Sequence, residues 1–391
     1  MISKNKRHLI YLIAYLAYSS IYVARVNLTM ANPALVSMSV LTTEQIGMLG
    51  GVFSATFACG RLFNGALSDK APPWVMICGG LALCSVCNIA VGFFPPFIGI
   101  FLLWMANAYA QSMLWGSMLA VMSQIYDEQT AKKRTAFLST SVAVGNIAGI
   151  LLCTWLITAF GVHFAFIIPG AITLLLGFAV LFTARDIRPV GGEKKHLSML
   201  ELLRGRELRH ICIPAAIHGV MKENISLWMT VYVIDTYAVD LGQSAYYLLL
   251  IPAFGFVGRT VHQVFYKLFR ENEHAVSLLG FVLTAICSVL CIFKVSALYS
   301  VVCLTAIYAS ISMVNTSFLS IYPIRYRAEG NVSSVSGVID FVTYLGAGIS
   351  AFVYGYMIEP LGYVAMFVTW AVLAALACIP MTYFAKKEYR K

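Results

Sequence analysis

The sequence predicts an all-α integral membrane protein, with twelve transmembrane helices in two pseudo-symmetric six-helix bundles. Hydrophobic residues make up 60% of the 391 residues and charged residues only 11%, whereas a soluble domain is about half apolar and about a quarter charged. The mean hydropathy is +0.81. The apolar runs are long enough for helices that cross a hydrocarbon core of about 30 Å. Strands of a membrane barrel would instead alternate in hydrophobicity over about 10 residues.

The apolar runs place the predicted helices in two groups of six. The first group lies near residues 8–31, 44–66, 73–93, 97–125, 133–158 and 161–183, and the second near 210–236, 242–268, 274–293, 297–323, 330–356 and 361–384. We therefore predict an N-terminal bundle over 1–184, a cytoplasmic linker over 185–209 and a C-terminal bundle over 210–391. The first run follows a basic segment, as a signal peptide does, but continues past any plausible cleavage point. We therefore expect an uncleaved first helix.

The distribution of basic residues predicts the orientation in the membrane. With the N-terminus inside, the predicted inner segments hold 22 of the 27 Lys and Arg residues, and the outer loops hold only Lys294. This bias follows the positive-inside rule and predicts a multi-pass protein of the plasma (inner) membrane with both termini in the cytoplasm. The net charge of +10 is spread over short loops, so we expect no nucleic-acid partner.

Cysteine and histidine patterns give no sign of a catalytic or metal centre. Cys84 and Cys87 have the spacing of a metal or redox motif, but the sequence has no second pair and no flanking histidine. We expect the ten cysteines to be small buried hydrophobic residues. No nucleophile–base pair or metal cluster is apparent, so we expect neither an enzyme nor a cofactor.

Four basic residues lie within the predicted helices or at their ends: Arg25, Arg61, Lys222 and Arg259. A basic side chain at membrane depth costs about 3 kcal/mol on insertion scales, so it is expected to face a water-filled cavity or a partner. Arg25 and Lys222 are 197 residues apart, and Arg61 and Arg259 are 198 apart. This repeat predicts two parallel halves that each supply a cation to one central anion site at mid-membrane.

The segment after the second predicted helix, GALSDKAPPW from Gly65 to Trp74, resembles the cytoplasmic loop motif of the major facilitator superfamily, G-x-L-x-D-R/K-x-G-R/K. The resemblance implies that Asp69 is a gating residue that pairs with a basic residue or a helix N-terminus when the cytoplasmic side is closed. Pro72, Pro73 and Trp74 replace the end of the motif. A plain tight turn with a solvated Asp–Lys pair is the alternative.

Four further segments carry a second resemblance: the first predicted helix from Tyr18 to Pro33, NAYAQSMLWG from Asn107, KENISLWMTVY from Lys222, and Tyr344-Leu345-Gly346. They resemble one branch of that superfamily, the organophosphate:phosphate antiporters, which include glycerol-3-phosphate and hexose-phosphate transporters and a related sugar-phosphate sensor. The segments cover most of the N-terminal half and two helices of the second half. The resemblance implies that they contribute substrate-binding residues: Tyr18, Tyr22, Arg25, Arg61, Asn107, Gln111, Trp115, Lys222 and Tyr344. It also aligns Asn27, Pro33 and Trp228 with family positions.

Helical spacing supports a convergent site but leaves an alternative open. Tyr18, Tyr22 and Arg25 follow the spacing i, i+4 and i+7 along one helix face. A phosphate group is close to a dianion at neutral pH, and paired cations with tyrosine and amide donors can replace its hydration. Polar side chains in membrane helices also commonly bond neighbouring helices. For the tyrosines the two interpretations carry equal weight.

The second half departs from the family pattern. Lys222 stands where the family has arginine, and Gly145 aligns with a family histidine. Glu223 and Asp340 are acids at membrane depth. Asp340 either neutralises Lys222, which we favour slightly, or one of the two acids titrates and couples transport to protons. Glu223 is expected to point about 100° around the helix from Lys222. His218, one turn before Lys222, either lines the cavity or packs against other side chains, and we favour packing.

Two pairs of small residues, Gly145 with Gly149 and Gly346 with Gly348, lie on predicted helices. We expect them to allow close helix packing, and we assign them no ligand.

The sequence thus predicts a secondary transporter of a small organic anion, such as an organophosphate or sugar phosphate, that works by alternating access. Inorganic phosphate or protons would be the counter- or co-ion, and we expect a monomer in the lipid bilayer. The alternatives are a proton-coupled transporter of a carboxylate or other small solute, and a sugar-phosphate sensor that transports nothing.

Overall fold

The computed structural model describes residues 3–187, 199–239 and 241–389. Their regular secondary structure is helical, which agrees with the predicted class. The helices of the N-terminal part are α1 (Lys4–Ser37), α2 (Thr43–Ser68), α3 (Pro73–Val91), α4 (Phe97–Ser112), α5 (Leu114–Ile125), α6 (Glu128–Leu138), α7 (Ser141–Phe160) and α8 (Phe164–Ala184). Those of the C-terminal part are α9 (Met199–Arg204), α10 (Arg206–Tyr237), α11 (Leu241–Leu268), α12 (Glu273–Cys291), α13 (Ala297–Thr316) and α14 (Val332–Glu388).

Length and hydropathy identify nine stretches of the described chain as candidate membrane spans. Three of the predicted spans account for the difference from twelve. The 57-residue α14 counts as one stretch, although Gly362 divides it with a φ of 71° that glycine adopts readily. The helices α10 and α11 are long enough but carry polar residues at mid-length, among them Lys222 and Arg259.

Two predicted helices are interrupted. The predicted helix 97–125 is broken at Met113 into α4 and α5. The predicted helix 133–158 is preceded by α6, which begins at Glu128, and turns between Leu138 and Ser141 before α7. The predicted helix 297–323 ends in a π-helical segment, Ser317–Ile321, and a short 3₁₀ segment, Tyr322–Tyr326. Such segments shift the helix face that side chains present.

The chain divides into two compact units. The first contains residues 1–134, 141–197 and 324–338, and the second contains 135–140, 198–323 and 339–391. Part of the predicted linker, 188–198, lies outside the described residues, and the predicted domain limits stay a prediction. The short helix α9 lies within the predicted linker, and α10 begins four residues before the predicted start at 210.

Small residues bring helices of the first unit close together. There α1 packs on α7 and α8, and α3 packs on α4 and α8. A Cβ atom on Gly145 would collide with the Ser19 carbonyl oxygen, and one on Gly149 would collide with Val26. The expectation that this glycine pair serves close helix packing is therefore confirmed.

In the second unit, close helix packing accounts for Gly346 but not for Gly348. A Cβ atom on Gly346 would collide with the carbonyl oxygen of Ala216, and one on Gly219 would collide with that of Thr343. Close packing therefore explains Gly346, as expected. No described atom lies within 4 Å of a Cβ built on Gly348, so close packing does not explain this second glycine.

Candidate functional site

Arg25 lies among aromatic rings in the first unit. Its guanidinium carbon is 4.5 Å from the ring centroid of Phe53, 5.2 Å from that of Phe57 and 5.9 Å from that of Tyr22. The guanidinium carbon of Arg61, one turn after Phe57 on α2, is 5.9 Å from the Phe57 centroid. Each ring face attracts a cation by about 1 kcal/mol, more where water is excluded. Two predicted site residues thus lie beside one aromatic ring.

Three other predicted residues extend this cluster through ring contacts. The rings of Tyr18 and Tyr22 are 5.5 Å apart between centroids, and those of Tyr18 and Trp115 are 4.9 Å apart. Tyr18 and Trp115 are buried, whereas Tyr22 and Arg25 are half-buried. The first unit therefore brings together Tyr18, Tyr22, Arg25, Arg61 and Trp115. Their binding role stays a prediction.

The sequence reasoning missed the two phenylalanines of this cluster. Phe53 and Phe57 stack with centroids 6.1 Å apart and form the aromatic surface nearest to Arg25. Phe53, Phe57 and Arg61 follow an i, i+4, i+8 spacing, which could have revealed them. The signal is weak, because apolar residues at that spacing are common in any membrane helix.

Asn107 and Gln111 belong to a buried chain of amide side chains. The Oδ1 atom of Asn107 accepts hydrogen bonds from Gln111 Nε2 at 3.2 Å and from Asn88 Nδ2 at 3.3 Å. Asn27 Nδ2 donates to Asn88 Oδ1 at 2.8 Å. These contacts join α1, α3 and α4, as the alternative of hydrogen bonding between helices predicts for Asn107 and Gln111. Their contact with a substrate stays a prediction, and Asn88 was missed.

In the second unit Lys222 forms an ion pair with its sequence neighbour. Its Nζ atom is 2.9 Å from Glu223 Oε1 and 5.9 Å from the ring centroid of Tyr344. Glu223 is expected about 100° around the helix from Lys222, and the two long side chains converge although their Cα–Cβ bonds diverge. Lys222 and Tyr344 thus lie together, and their binding role stays a prediction.

Asp340 is buried on α14, with 6% of its surface exposed. Its pairing with Lys222, its titration and the coupling role of Glu223 stay predictions.

Asp69 binds the start of a helix. Its carboxylate accepts hydrogen bonds from the backbone N–H groups of Ser333 at 2.8 Å and Ser334 at 2.7 Å, in the first turn of α14. Gly65 allows the close approach, since a Cβ there would be 2.7 Å from the Ser333 carbonyl oxygen. This is one of the two partners that the motif implied for Asp69. Its gating role stays a prediction.

The electrostatics of Asp69 follow from this position. Burial raises the pKa of its carboxyl group above the ordinary value, and the hydrogen bonds from Ser334 and Ser333 oppose that shift without cancelling it. A carboxylate at a helix N-terminus is stabilised by unpaired backbone N–H groups and by the helix dipole.

The model of the Major Facilitator Superfamily matches residues 9–351. The chain belongs to this superfamily. It is an integral, multi-pass membrane protein, and its family members are transporters rather than enzymes. The fold agrees with the solved structure of the E. coli fucose:proton symporter FucP, with a TM-score of 0.75 at 16% identity over 96% of this chain and 97% of the other. It also agrees with the human organic anion transporter MFSD10, with a TM-score of 0.73 at 16% identity over 97% and 100% of the two chains.

Curated relatives support the resemblance to organophosphate:phosphate antiporters. The chain is 22% identical to a phosphoglycerate transporter protein of Salmonella typhimurium, over 93% of this chain and 85% of that protein. It is 21% identical to the membrane sensor protein UhpC of the same organism, over 98% and 92% of the two chains. A probable hexose phosphate transport protein of Chlamydia trachomatis is 25% identical over 44% of this chain and 38% of the relative.

Proposed function

We propose that this member of the superfamily transports a small organophosphate anion by alternating access, and that Arg25 and Lys222 both bind the anion. The observation that carries the proposal is the aromatic cluster around Arg25, with Arg61 beside the same phenylalanine. The relatives that transport phosphoglycerate and hexose phosphate support it.

The chemistry of a phosphate monoester fits two clustered arginines. Such a group carries a charge of about −1.5 to −2 at neutral pH and has three strong acceptor oxygens. A guanidinium donates two parallel hydrogen bonds to it, which an ammonium cannot. The rings of Phe53 and Phe57 lie against the guanidinium of Arg25, and charge-assisted hydrogen bonds strengthen where the local dielectric constant is low.

The proposal extends to the counter-ion, the oligomeric state and the orientation in the membrane. The organophosphate is exchanged for inorganic phosphate through the same binding site, and the protein acts as a monomer. Both termini lie in the cytoplasm, as the distribution of Lys and Arg predicts. The contact between Asp69 and the start of α14 breaks and re-forms during the cycle.

Uptake into proteoliposomes tests the proposal. Vesicles loaded with inorganic phosphate should accumulate radiolabelled glycerol 3-phosphate faster than empty vesicles. Arg25→Ala should reduce the initial rate at least about tenfold, the factor expected for the loss of one charge-assisted hydrogen-bonded pair. Arg25→Lys should keep part of the rate. The exposed Lys294 supplies the control, since Lys294→Gln should transport as the wild type does. Equal uptake by the wild type and Arg25→Ala would contradict the model of paired cations.

A proton-coupled transporter of a carboxylate is the second candidate, favoured by the two acids at membrane depth. Glu223 already compensates Lys222, which lowers the positive charge available to a divalent anion. In that case acidification should drive uptake, and Asp340→Asn or Glu223→Gln should remove that drive. A sugar-phosphate sensor is the third, because the relative UhpC is named a sensor. Binding without flux would identify it.

A further inference from the structure

Arg259 is a buried cation without a compensating group. It lies on α11 with 2% of its surface exposed, and its Nε atom is buried without a hydrogen-bond partner. Within residues 3–187, 199–239 and 241–389, no carboxylate or other acceptor contacts its guanidinium. A basic residue in this position is costly unless an anion satisfies it.

A second unsatisfied polar side chain lies within electrostatic range of Arg259. His218 is 1% exposed, and neither of its ring nitrogens has a hydrogen-bond partner within the described chain. The charged groups that act electrostatically on His218 are Lys222, one turn further along α10, and Arg259. Buried polar groups are rarely left unpaired, so two of them within electrostatic range of each other indicate a ligand.

The positive charge that remains in this group belongs to Arg259. Lys222 has a carboxylate partner in Glu223, 2.9 Å away, whereas Arg259 has none among the described residues. An arginine also offers the planar pair of donors that Lys222 lacks. The second unit thus contains a fork-shaped donor, although on α11 rather than on α10.

The guanidinium of Arg259 occupies space that a side chain at position 255 would fill. A Cβ atom on Gly255, one turn earlier, would lie 3.0 Å from Arg259 Nη1 and 2.9 Å from Cε1 of Tyr308. By the offset of 198 residues, Gly255 corresponds to Phe57 in the first unit, whose ring lies beside Arg61. A glycine therefore replaces the ring, and Arg259 lies directly over its own helix.

We propose that Arg259 and His218 form an oxyanion subsite in the second unit, which binds an acidic group of the transported anion. Arg259 donates two N–H groups, and His218 donates from one ring nitrogen. This inference rests on the proposed function in that the occupant is the transported solute. The shared chemistry is that of a phosphoryl or a carboxylate group, and the probes below distinguish the two.

Thermal unfolding of the full-length protein in detergent tests the subsite with three probes: inorganic phosphate, glycerol 3-phosphate and glycerate. We expect the two phosphates to raise the melting temperature of the wild type. In Arg259→Gln their apparent Kd should rise at least about tenfold, while the melting temperature without probe should stay equal or rise, because an unpaired buried charge is removed. If Arg259 had a purely structural role, Arg259→Gln would instead lower the melting temperature without probe and leave the apparent Kd of the two phosphates unchanged. The exposed Lys267 on the same helix gives the control Lys267→Gln, which should behave as the wild type.

A second variant keeps the charge of Arg259 but changes the position of its guanidinium. Gly255→Ala adds a Cβ that displaces the Arg259 guanidinium or the Tyr308 ring, and it should weaken probe binding several-fold. Gly348→Ala is the matched control, because no described atom lies within 4 Å of its added Cβ.

The outcomes separate the subsite from the organophosphate function. Undiminished probe shifts in both Arg259→Gln and Gly255→Ala would overturn the subsite, even if organophosphate uptake is observed. A shift with glycerate alone, abolished by Arg259→Gln, would support the subsite and exclude an organophosphate as substrate. No shift of the wild type with any probe up to about 10 mM, beyond the millimolar range of weak binding, would overturn both.

Discussion

The carboxylate of Asp69 accepts the backbone N–H of Ser334 at 2.7 Å, and it holds the neighbouring N–H of Ser333 at 2.8 Å. Two of the four N–H groups that a helix leaves unpaired at its start are thereby satisfied by a side chain 264 and 265 residues away in the sequence. A short turn motif, of which the sequence shows only the first half, is thus tied to the beginning of α14.

Removing this carboxylate should destabilise the protein. Asp69→Ala leaves two buried backbone N–H groups without an acceptor, and each such group costs about 1–3 kcal/mol. We expect a clear fall in the melting temperature and slower transport. Asp127 is the control: its carboxylate also accepts a backbone N–H, that of Thr130 at 2.9 Å, but it is exposed. At this exposed site water can replace the carboxylate as the acceptor, so Asp127→Ala should change the melting temperature little. Equal effects of both variants would show that burial does not matter at Asp69.

The stability of the wild type should depend on pH through Asp69. Burial raises the pKa of this carboxyl group in the folded state, so the folded protein holds the proton more tightly than the unfolded chain. The stabilisation that this protonated carboxyl group gives is fully present at pH values below its ordinary pKa of about 3.9. It is lost as pH rises through the pKa of the folded state. The melting temperature of the wild type should therefore fall relative to that of Asp69→Asn as pH increases above about 4. A difference that is constant with pH would contradict this.

Asn88 should be the most sensitive member of the amide chain. It donates to Asn107 and to the backbone oxygen of Cys84, and it accepts from Asn27. Asn88→Ala removes the hydrogen bonds that Asn88 makes to Asn27 and to Asn107, at a cost of about 0.5–1.5 kcal/mol for each bond. Gln111→Ala removes only the end of the chain and should cost less. Comparison of the two melting temperatures in one detergent measures this, and an equal or larger loss in Gln111→Ala would refute the network.

Lys222 and Glu223 should be energetically coupled. Each single substitution to glutamine removes one charge of the pair, whereas the double variant removes both. Since Lys222 is 16% and Glu223 35% exposed at the side chain, solvent screens the pair, and we expect a coupling energy of about 1 kcal/mol. A double-mutant cycle of melting temperatures measures it. Strict additivity would mean that the two side chains do not interact in the folded protein.

Particular residues show how far sequence reasoning reaches. The spacing of Tyr18, Tyr22 and Arg25 predicted one face of one helix, and the structure places their side chains in contact. Phe53 and Phe57 lie on the next helix, and their spacing to Arg61 is only a weak signal, because lipid-facing rings commonly have the same spacing. Arg259 was recognised as a repeat of Arg61, but its lack of a partner became visible only with the neighbouring helices in place.

The amino-acid sequence alone predicts that this protein spans a membrane with helices, that its two halves repeat, and that cations lie at membrane depth. These features depend on hydropathy and on spacing along one chain. The neighbouring helices were needed to show that Glu223 turns to Lys222, that Asp69 binds the start of α14, and that Arg259 and His218 each bury a nitrogen without a hydrogen-bond partner. Such contacts depend on the rotation of each helix about its axis and on the reach of long side chains. Both are fixed by packing between helices far apart in sequence.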